Sequence, residues 1–127
     1  MTLDFFRVTA ENDVMAIRVK NDTSIQAALD KIVQETTAIV PDGKVFLFGS
    51  YATGMQKPDS DIDICVVADG FSERPIEIIH AIRDAIADKI NLSVDILVFR
   101  SDDFYKNSIL RPTIEHTIIN EGILLNA

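Results

Sequence analysis

The sequence predicts an α/β (α+β) domain in which a small mixed β-sheet is flanked by helices. Short apolar runs typical of strands alternate with longer segments of helical periodicity, in the order (ββ)-α-β-β-α-β-α-β. The length of 127 residues is typical of a single domain. We expect residues 1–22 to form an N-terminal extension and residues 23–127 to form the main domain.

The composition excludes several classes of function. Hydrophobic residues make up 47% of the chain, yet no apolar run approaches the roughly 20 residues that cross a bilayer. No signal peptide precedes Asp4, so we expect a cytoplasmic protein that does not contact a membrane. The single cysteine, Cys65, excludes an internal disulfide and a cysteine-rich zinc site. A net charge of −8 argues against a broad nucleic-acid surface, but it allows a small anion carried in with a divalent cation.

The first half of the chain gives one uncertain and one clear element. Alternation of Met15, Ile17 and Val19 with basic residues favours a hairpin over residues 3–20, although a helix over 10–20 also fits. Thr23 to Gln26 has the form of a capping box and precedes a helical apolar face. The sequence Pro41-Asp42-Gly43 ends this helix near residue 40.

Three strands, three helices and a last short edge strand are predicted from residue 45 onward. The strands cover residues 45–48, 61–67 and 92–99. The first is apolar throughout, and in the second Ile62, Ile64 and Val66 alternate with Asp61, Asp63 and Cys65. The helices cover residues 76–90, 101–107 and 112–120, and Ser101 caps the second. The residues expected to face inward are Ile76, Ile79, Arg83, Ile86 and Ile90 in the first helix and Ile114, Ile118 and Ile119 in the last. Residues 123–125 favour a short edge strand.

Three aspartates are the candidate catalytic and metal-binding residues. Asp61 and Asp63 project to the same face of a strand, about 7 Å apart. At an effective dielectric constant near 20, two such carboxylates repel by about 2 kcal/mol. Asp95 is the only charge in the apolar run 92–99, and it joins them if its strand lies alongside. Carboxylate oxygens without a basic partner favour Mg²⁺ or Mn²⁺.

A glycine-serine turn lies ten residues before the first of these aspartates. Gly49 lets the backbone approach a phosphate closely, and Ser50 with the following amides can bind its oxygens. A metal cluster facing a phosphate-binding turn is the arrangement expected for two-metal phosphoryl or nucleotidyl transfer.

Gly49-Ser50 followed by Asp61-x-Asp63 resembles the signature of the DNA polymerase beta-like nucleotidyltransferase superfamily. The apolar strand before the motif, the short chain and Asp95 resemble its minimal, MNT-type (MntA-like) members, which are often antitoxins paired with a HEPN-type toxin. The resemblance covers roughly residues 23–125. It implies that the chain is a transferase that moves AMP from ATP to an acceptor hydroxyl.

The resemblance also implies a role for each site residue. Asp61 and Asp63 would bind two Mg²⁺ ions that bridge the triphosphate, and Asp95 would bind the catalytic ion and help deprotonate the acceptor. Gly49 and Ser50 would hold the β- and γ-phosphates. Many relatives have Gly-Ser-Tyr-Ala-Arg-Gly, whereas Thr53 occupies the arginine position here and Lys57 is the nearest cation.

Three functions therefore stay open. The first is transfer of AMP to a HEPN-type partner toxin, and the second is a non-catalytic antitoxin that neutralises its partner by binding, which Thr53 favours. The third is transfer to a small molecule, as in aminoglycoside-modifying relatives. Those relatives usually carry a second domain, so a homo-oligomer would have to complete the acceptor pocket.

Overall fold

The computed structural model describes residues 23–126. The hairpin predicted within residues 1–22, and the side chains of the predicted capping box at residues 23 and 24, lie outside the described part. Five helices and four strands occur within residues 23–126: α1 Thr23–Ile39, β1 Lys44–Phe48, α2 Ser50–Thr53, β2 Ile62–Ala68, α3 Pro75–Ile86, β3 Val94–Arg100, α4 Ser101–Ser108, α5 Ile114–Glu121 and β4 Ile123–Leu124. None of these helices is long and apolar enough to cross a membrane.

The four strands form one mixed sheet, as the sequence predicted. The strand order is β3-β2-β1-β4. β2 runs parallel to β3, whereas β1 runs antiparallel to both β2 and β4. The parallel pair is joined by a crossover through α3, which supplies the long connection that parallel neighbours need. The predicted edge strand is therefore present as β4.

Each face of the sheet packs against different helices. Ile62, Ile64 and Val66 of β2 are fully buried in the larger core, together with residues of α1 and α3. Cys65 and Val67 point to the other face, where they belong to a smaller core with Phe104 of α4. This confirms the predicted alternation along β2, in which the isoleucines face one way and Asp63 shares the other face with Cys65, whereas Asp61 immediately precedes the strand.

The inward face of α3 differs from the prediction. The buried residues are Ile78, Ile82 and Ile86, whereas Ile76 is 45% exposed. The predicted face included Arg83, and burying its guanidinium without a partner would be costly. The helix ends at Ile86 and not at residue 90.

The last two helices also differ from the prediction, in the residues that they bury or in the residue that caps them. Ile114 and Ile119 are 45% and 40% exposed, and Ile118 alone of the predicted set is fully buried. In α5 the cap is Thr113, which accepts a hydrogen bond from the backbone nitrogen of His116 at 3.1 Å. Ser101 was predicted as a cap, but it is the first residue of α4.

Candidate functional site

Two of the three candidate aspartates lie side by side near the N-terminal ends of the adjacent strands β2 and β3. Asp63 is in direct register with Phe48 on β1 and with Asp95 on β3. Adjacent strands lie about 4.8 Å apart, so the carboxylates of Asp63 and Asp95 project as neighbours from the same face. Asp61 immediately precedes β2. The condition that the strand of Asp95 lies alongside is therefore met.

The electrostatics of Asp63 reflect this crowding. Burial raises the pKa of Asp63 above its ordinary value of 3.8, and the negative charges of Asp95 and Asp61 raise it further. The two ion pairs found within residues 23–126 join Arg74 to Glu77 and Lys89 to Glu35, so neither involves these aspartates. The site thus concentrates negative charge that no described basic side chain neutralises, which favours a bound cation.

Gly49 connects β1 to the site and has a conformation that only glycine adopts readily. Its φ is 75° and its ψ is −153°. A Cβ atom there would contact the carboxylate of Asp63, with the Cγ atom 3.1 Å away. Because Gly49 has no side chain, the turn lies directly against Asp63. A ligand bound by the amides that follow Gly49 would therefore lie next to the carboxylate of Asp63.

The first amides of α2 are the candidate phosphate-binding groups of this turn. Ser50 opens α2, and the amide groups of Ser50 and Tyr51 have no acceptor within the helix. The amides of Ala52 and Thr53 donate to the Gly49 carbonyl at 3.1 and 3.2 Å. The free donors thus lie on the residues immediately after Gly49, as binding of a phosphate oxygen requires.

The two remaining motif positions, Thr53 and Lys57, have hydrogen bonds within their own turns. The Thr53 hydroxyl donates to the carbonyls of Gly49 and Ser50, at 3.4 Å each. The Lys57 amide donates to the Ser60 hydroxyl at 2.7 Å, in a turn that leads back to β2, and the Lys57 side chain is exposed. Lys57 forms no ion pair with a described aspartate. The described contacts of Lys57 are thus local, and its binding of nucleotide stays a prediction.

The carboxylates fit a metal that is shared with a ligand better than a metal held by protein alone. Within residues 23–126, no group of three or more His, Cys, Asp or Glu side chains is arranged to hold an ion by itself. Mg²⁺ is usually bound by one or two carboxylates together with substrate phosphates and water. The pair Asp63 and Asp95, facing the Gly49 turn, matches that mode of binding.

Sequence reasoning missed one acidic residue on the same face of the sheet. Glu115 is only 8% exposed, and its Oε2 accepts a hydrogen bond from Asn107 Nδ2 at 3.2 Å. Burial raises the pKa of the Cys65 thiol, and the charge of Glu115 raises it further. Cys65 is thus a buried, protonated packing residue and not a nucleophile. Asn107 and Glu115 lie on different helices, so no local sequence pattern identifies the pair.

A glycine turn able to bind phosphate, next to carboxylates at the ends of adjacent strands, is typical of enzymes that act on nucleoside triphosphates. The family profile for the nucleotidyltransferase domain matches residues 29–125, which is most of the chain. The chain therefore belongs to the nucleotidyltransferase domain family, and it is a transferase. No curated protein sequence matches it.

Among the solved structures that resemble the chain, two are similar over most of its length. One is a crystal structure of a toxin-antitoxin with AMP-PNP, at 23% identity and a TM-score of 0.52, covering 78% of this chain and 73% of that chain. At this identity the likeness shows the fold. The other is a candidate nucleotidyltransferase from Sulfolobus solfataricus, at 27% identity and a TM-score of 0.47, covering 77% of this chain and 85% of that chain.

Proposed function

We propose that this protein is an Mg²⁺-dependent nucleotidyltransferase that transfers AMP from ATP to the hydroxyl group of a partner protein. The observation that carries the proposal is the direct register of Asp63 with Asp95, next to a turn in which Gly49 brings the backbone directly against the Asp63 carboxylate. Family membership supports nucleotidyl transfer as the reaction.

Each residue has a distinct role in this proposal. Asp61 and Asp63 hold two Mg²⁺ ions together with the triphosphate, and Ser50 with its neighbouring amides binds the β- and γ-phosphates. When bound, Mg²⁺ neutralises charge on the triphosphate and on the attacking and leaving oxygens. Asp95 lies beside Asp63, where it contributes to the metal site and accepts the proton of the acceptor hydroxyl. The acceptor oxygen bonds to the α-phosphorus, and the bond from this phosphorus to pyrophosphate breaks.

A HEPN-type toxin is the acceptor that we propose, which would make this chain the antitoxin of a pair. The fold likeness to a toxin-antitoxin with AMP-PNP supports both a nucleotide and a protein partner. We also propose that the protein acts in the cytoplasm, where ATP and Mg²⁺ are available. Its one cysteine is a free, buried thiol, which fits a reducing compartment.

A second candidate function is inhibition of the partner by binding alone. One observation favours it: Thr53 replaces the arginine of many relatives, its hydroxyl contacts backbone carbonyls of its own turn, and Lys57 forms no ion pair with a described aspartate. A site that binds nucleotide without this cation would transfer AMP slowly. Under this reading the partner is neutralised equally well with and without ATP.

Labelled ATP separates the two functions. The protein is incubated with Mg²⁺, a HEPN-type partner and ATP that carries ³²P at either the α- or the γ-phosphate. AMP transfer predicts that the partner acquires the α-label and not the γ-label. The double variant Asp61→Ala, Asp63→Ala should lose this transfer, whereas Asp59→Asn, which changes an exposed aspartate outside the strands, should retain it.

Each alternative result has a clear meaning. Transfer of the γ-label would indicate a kinase and would contradict the proposed reaction. Full α-label transfer by the double aspartate variant would contradict the assigned site. Absence of transfer combined with equal neutralisation by wild type and variant would establish inhibition by binding.

A further inference from the structure

Within residues 23–126, the outer edge of β3 has no pairing strand, and this edge begins beside the proposed catalytic residue Asp95. β3 is the terminal strand of the sheet, and within residues 23–126 no strand pairs with its outer side. The strand is seven residues long, from Val94 to Arg100, and contains no proline. Sheet edges are usually protected by proline, bulges or outward charges, because an unpaired edge can accept another strand.

The pairing of β3 with β2 determines which backbone groups of β3 point toward its outer edge. The amide of Ile62 donates to the Ser93 carbonyl at 2.9 Å, and Ile62 is in register with Val94. In a parallel pair the direction of the backbone groups alternates along each strand. The backbone groups of Asp95 therefore point toward β2, whereas those of Val94 and Ile96 point outward, and the alternation continues to Val98.

A cavity opens beside the start of this edge. It has a volume of about 320 Å³, and Ile86, Ile90, Leu92 and Val94 supply its apolar lining. Arg83 also lines it, and this exposed guanidinium forms no ion pair within residues 23–126. The cavity lies on the α3 side of the sheet, which is the opposite face from Asp95. It has the size and chemistry to receive one apolar side chain, with an acidic side chain close by.

The geometry points to an extended polypeptide segment of the partner that adds to the outer edge of β3 as a fifth strand. In such a pair, the residue opposite Asp95 projects to the same face as Asp95, where it presents its hydroxyl to the site. Its neighbour, opposite Val94, projects to the other face and enters the cavity. The assignment of the hydroxyl to Asp95 rests on the proposed function, whereas strand addition itself does not.

Charge identifies the segment and disfavours a second copy of this chain. The chain carries a net charge of −8, yet Arg83 lines the cavity, and Lys31 lines the adjoining cavity that shares Ile90 and Leu92, where Lys89 is paired with Glu35. An acidic residue on the cavity side of the segment complements this local positive charge. Two copies paired through β3 would instead bring two acidic sites together.

A synthetic peptide tests strand addition without any nucleotide. The probe is a capped ten-residue peptide in which threonine and valine alternate around a central tyrosine. Leucine directly follows the tyrosine, and glutamate lies two residues after this leucine. Amide hydrogen exchange is measured for β3 in the free protein and with the peptide. In the free protein the amides of Val94, Ile96 and Val98 should exchange faster than those of Asp95 and Leu97, and the peptide should slow the outward set alone.

Single N-methylation of the peptide backbone provides the second measurement. Strand addition predicts that methylation at alternate residues weakens binding about tenfold, the loss of one or two hydrogen bonds, while the intervening positions have little effect. Three results would overturn the inference: outward amides already protected in the free protein, N-methylation effects with no period of two, or no binding at millimolar peptide.

A charge exchange tests the assigned orientation. Arg83→Glu should weaken the peptide about threefold, as expected for an exposed ion pair, and replacing the peptide glutamate with lysine should restore binding. Arg111→Glu, at an exposed position between α4 and α5, is the matched control and should leave binding unchanged. Equal weakening by both variants, or no rescue by the lysine peptide, would contradict docking at this cavity.

Binding and transfer are measured separately, so the inference and the proposed function fail in different ways. Period-two binding with no α-label transferred to any partner would retain the docking edge and reject the enzyme. Transfer of the α-label to a partner, with a peptide that fails the exchange and N-methylation tests, would retain the enzyme and reject the docking edge.

Discussion

Replacing Asp63 with asparagine is expected to stabilise the free protein and to weaken its binding of nucleotide. Asp63 is in register with Asp95 and follows Asp61 by two residues, so its negative charge is repelled in the absence of a cation. Asparagine has nearly the same shape and no charge. The substitution therefore removes the repulsion while it preserves the packing of β2.

The size of the effect follows from the spacing of the carboxylates. Two charges about 7 Å apart interact by about 2 kcal/mol at an effective dielectric constant of 20. Asp63 is partly exposed, and solvent screening reduces this value to about 1 kcal/mol. For a domain of this size, that gain corresponds to a rise in Tm of about 4 °C.

The pH dependence has a definite sign. Because the folded-state pKa of Asp63 is raised above 3.8, protonation of this group stabilises the protein fully below pH 3.8. That contribution is lost as the pH rises through the folded-state pKa. Asp63→Asn should thus be more stable than wild type at neutral pH, and its advantage should disappear in acid.

Mg²⁺ and ATP should reverse the order of stability. Ligand at one hundred times its Kd stabilises wild type by about 2.7 kcal/mol, and Asp63→Asn should gain much less. Differential scanning fluorimetry with and without Mg²⁺-ATP measures both effects, and Asp59→Asn is the control that should resemble wild type in each. If Asp63→Asn were less stable than wild type without ligand, the assigned repulsion would be wrong. If it gained as much stability from ligand as wild type, the assigned role in nucleotide binding would be wrong.

Three further substitutions test other parts of the account. Gly49→Ala should destabilise the protein by about 1–3 kcal/mol in chemical denaturation, because its φ of 75° and the carboxylate of Asp63 both exclude a Cβ atom; an unchanged midpoint would contradict this geometry. Thr36→Val should raise the free energy of unfolding by about 1 kcal/mol, since the Thr36 hydroxyl is buried without a hydrogen bond to any group of residues 23–126; destabilisation would reveal an unrecognised partner. Thr53→Arg should increase kcat for AMP transfer more than it changes KM for ATP, and an unaltered kcat would show that Thr53 does not limit the rate.

The strands and their faces were predictable because their patterns depend on one strand at a time. Ile62, Ile64 and Val66 alternate with polar or small residues, and a period of two fixes which side chains share a face. Asp63 thereby falls on the face opposite the larger core. Its register with Asp95 depends on the length of the crossover through α3, which the sequence pattern does not specify.

The helical faces were less predictable because the chain offers two apolar stripes. In α3, both Ile76 with Ile79 and Ile78 with Ile82 recur at helical spacing, so periodicity alone does not choose between them. Packing on the sheet selects the stripe of Ile78 and Ile82 and leaves Arg83 in solvent. The free-energy cost of burying the Arg83 guanidinium decides between the two stripes, and this cost arises only when the helix packs against the sheet.

The buried carboxylate of Glu115 illustrates a second limit. An acidic residue in the first turn of a helix is normally read as a solvated group that favours the helix dipole. Asn107, on the preceding helix, donates the hydrogen bond that makes burial of Glu115 tolerable. Such a partner is defined by tertiary contact, so the sequence marks Glu115 only as a favourable helix start.

The central claim is that the Gly49 turn and the aspartates form one site for a metal-bound triphosphate. A crystal structure with Mn²⁺ and a non-hydrolysable ATP analogue tests it directly, since anomalous scattering locates manganese without assumptions about the ligand. We predict manganese bound by the carboxylates of Asp61, Asp63 and Asp95, and phosphate oxygens within hydrogen-bond distance of Ser50. Manganese bound elsewhere, or a triphosphate that does not contact the turn after Gly49, would contradict the account.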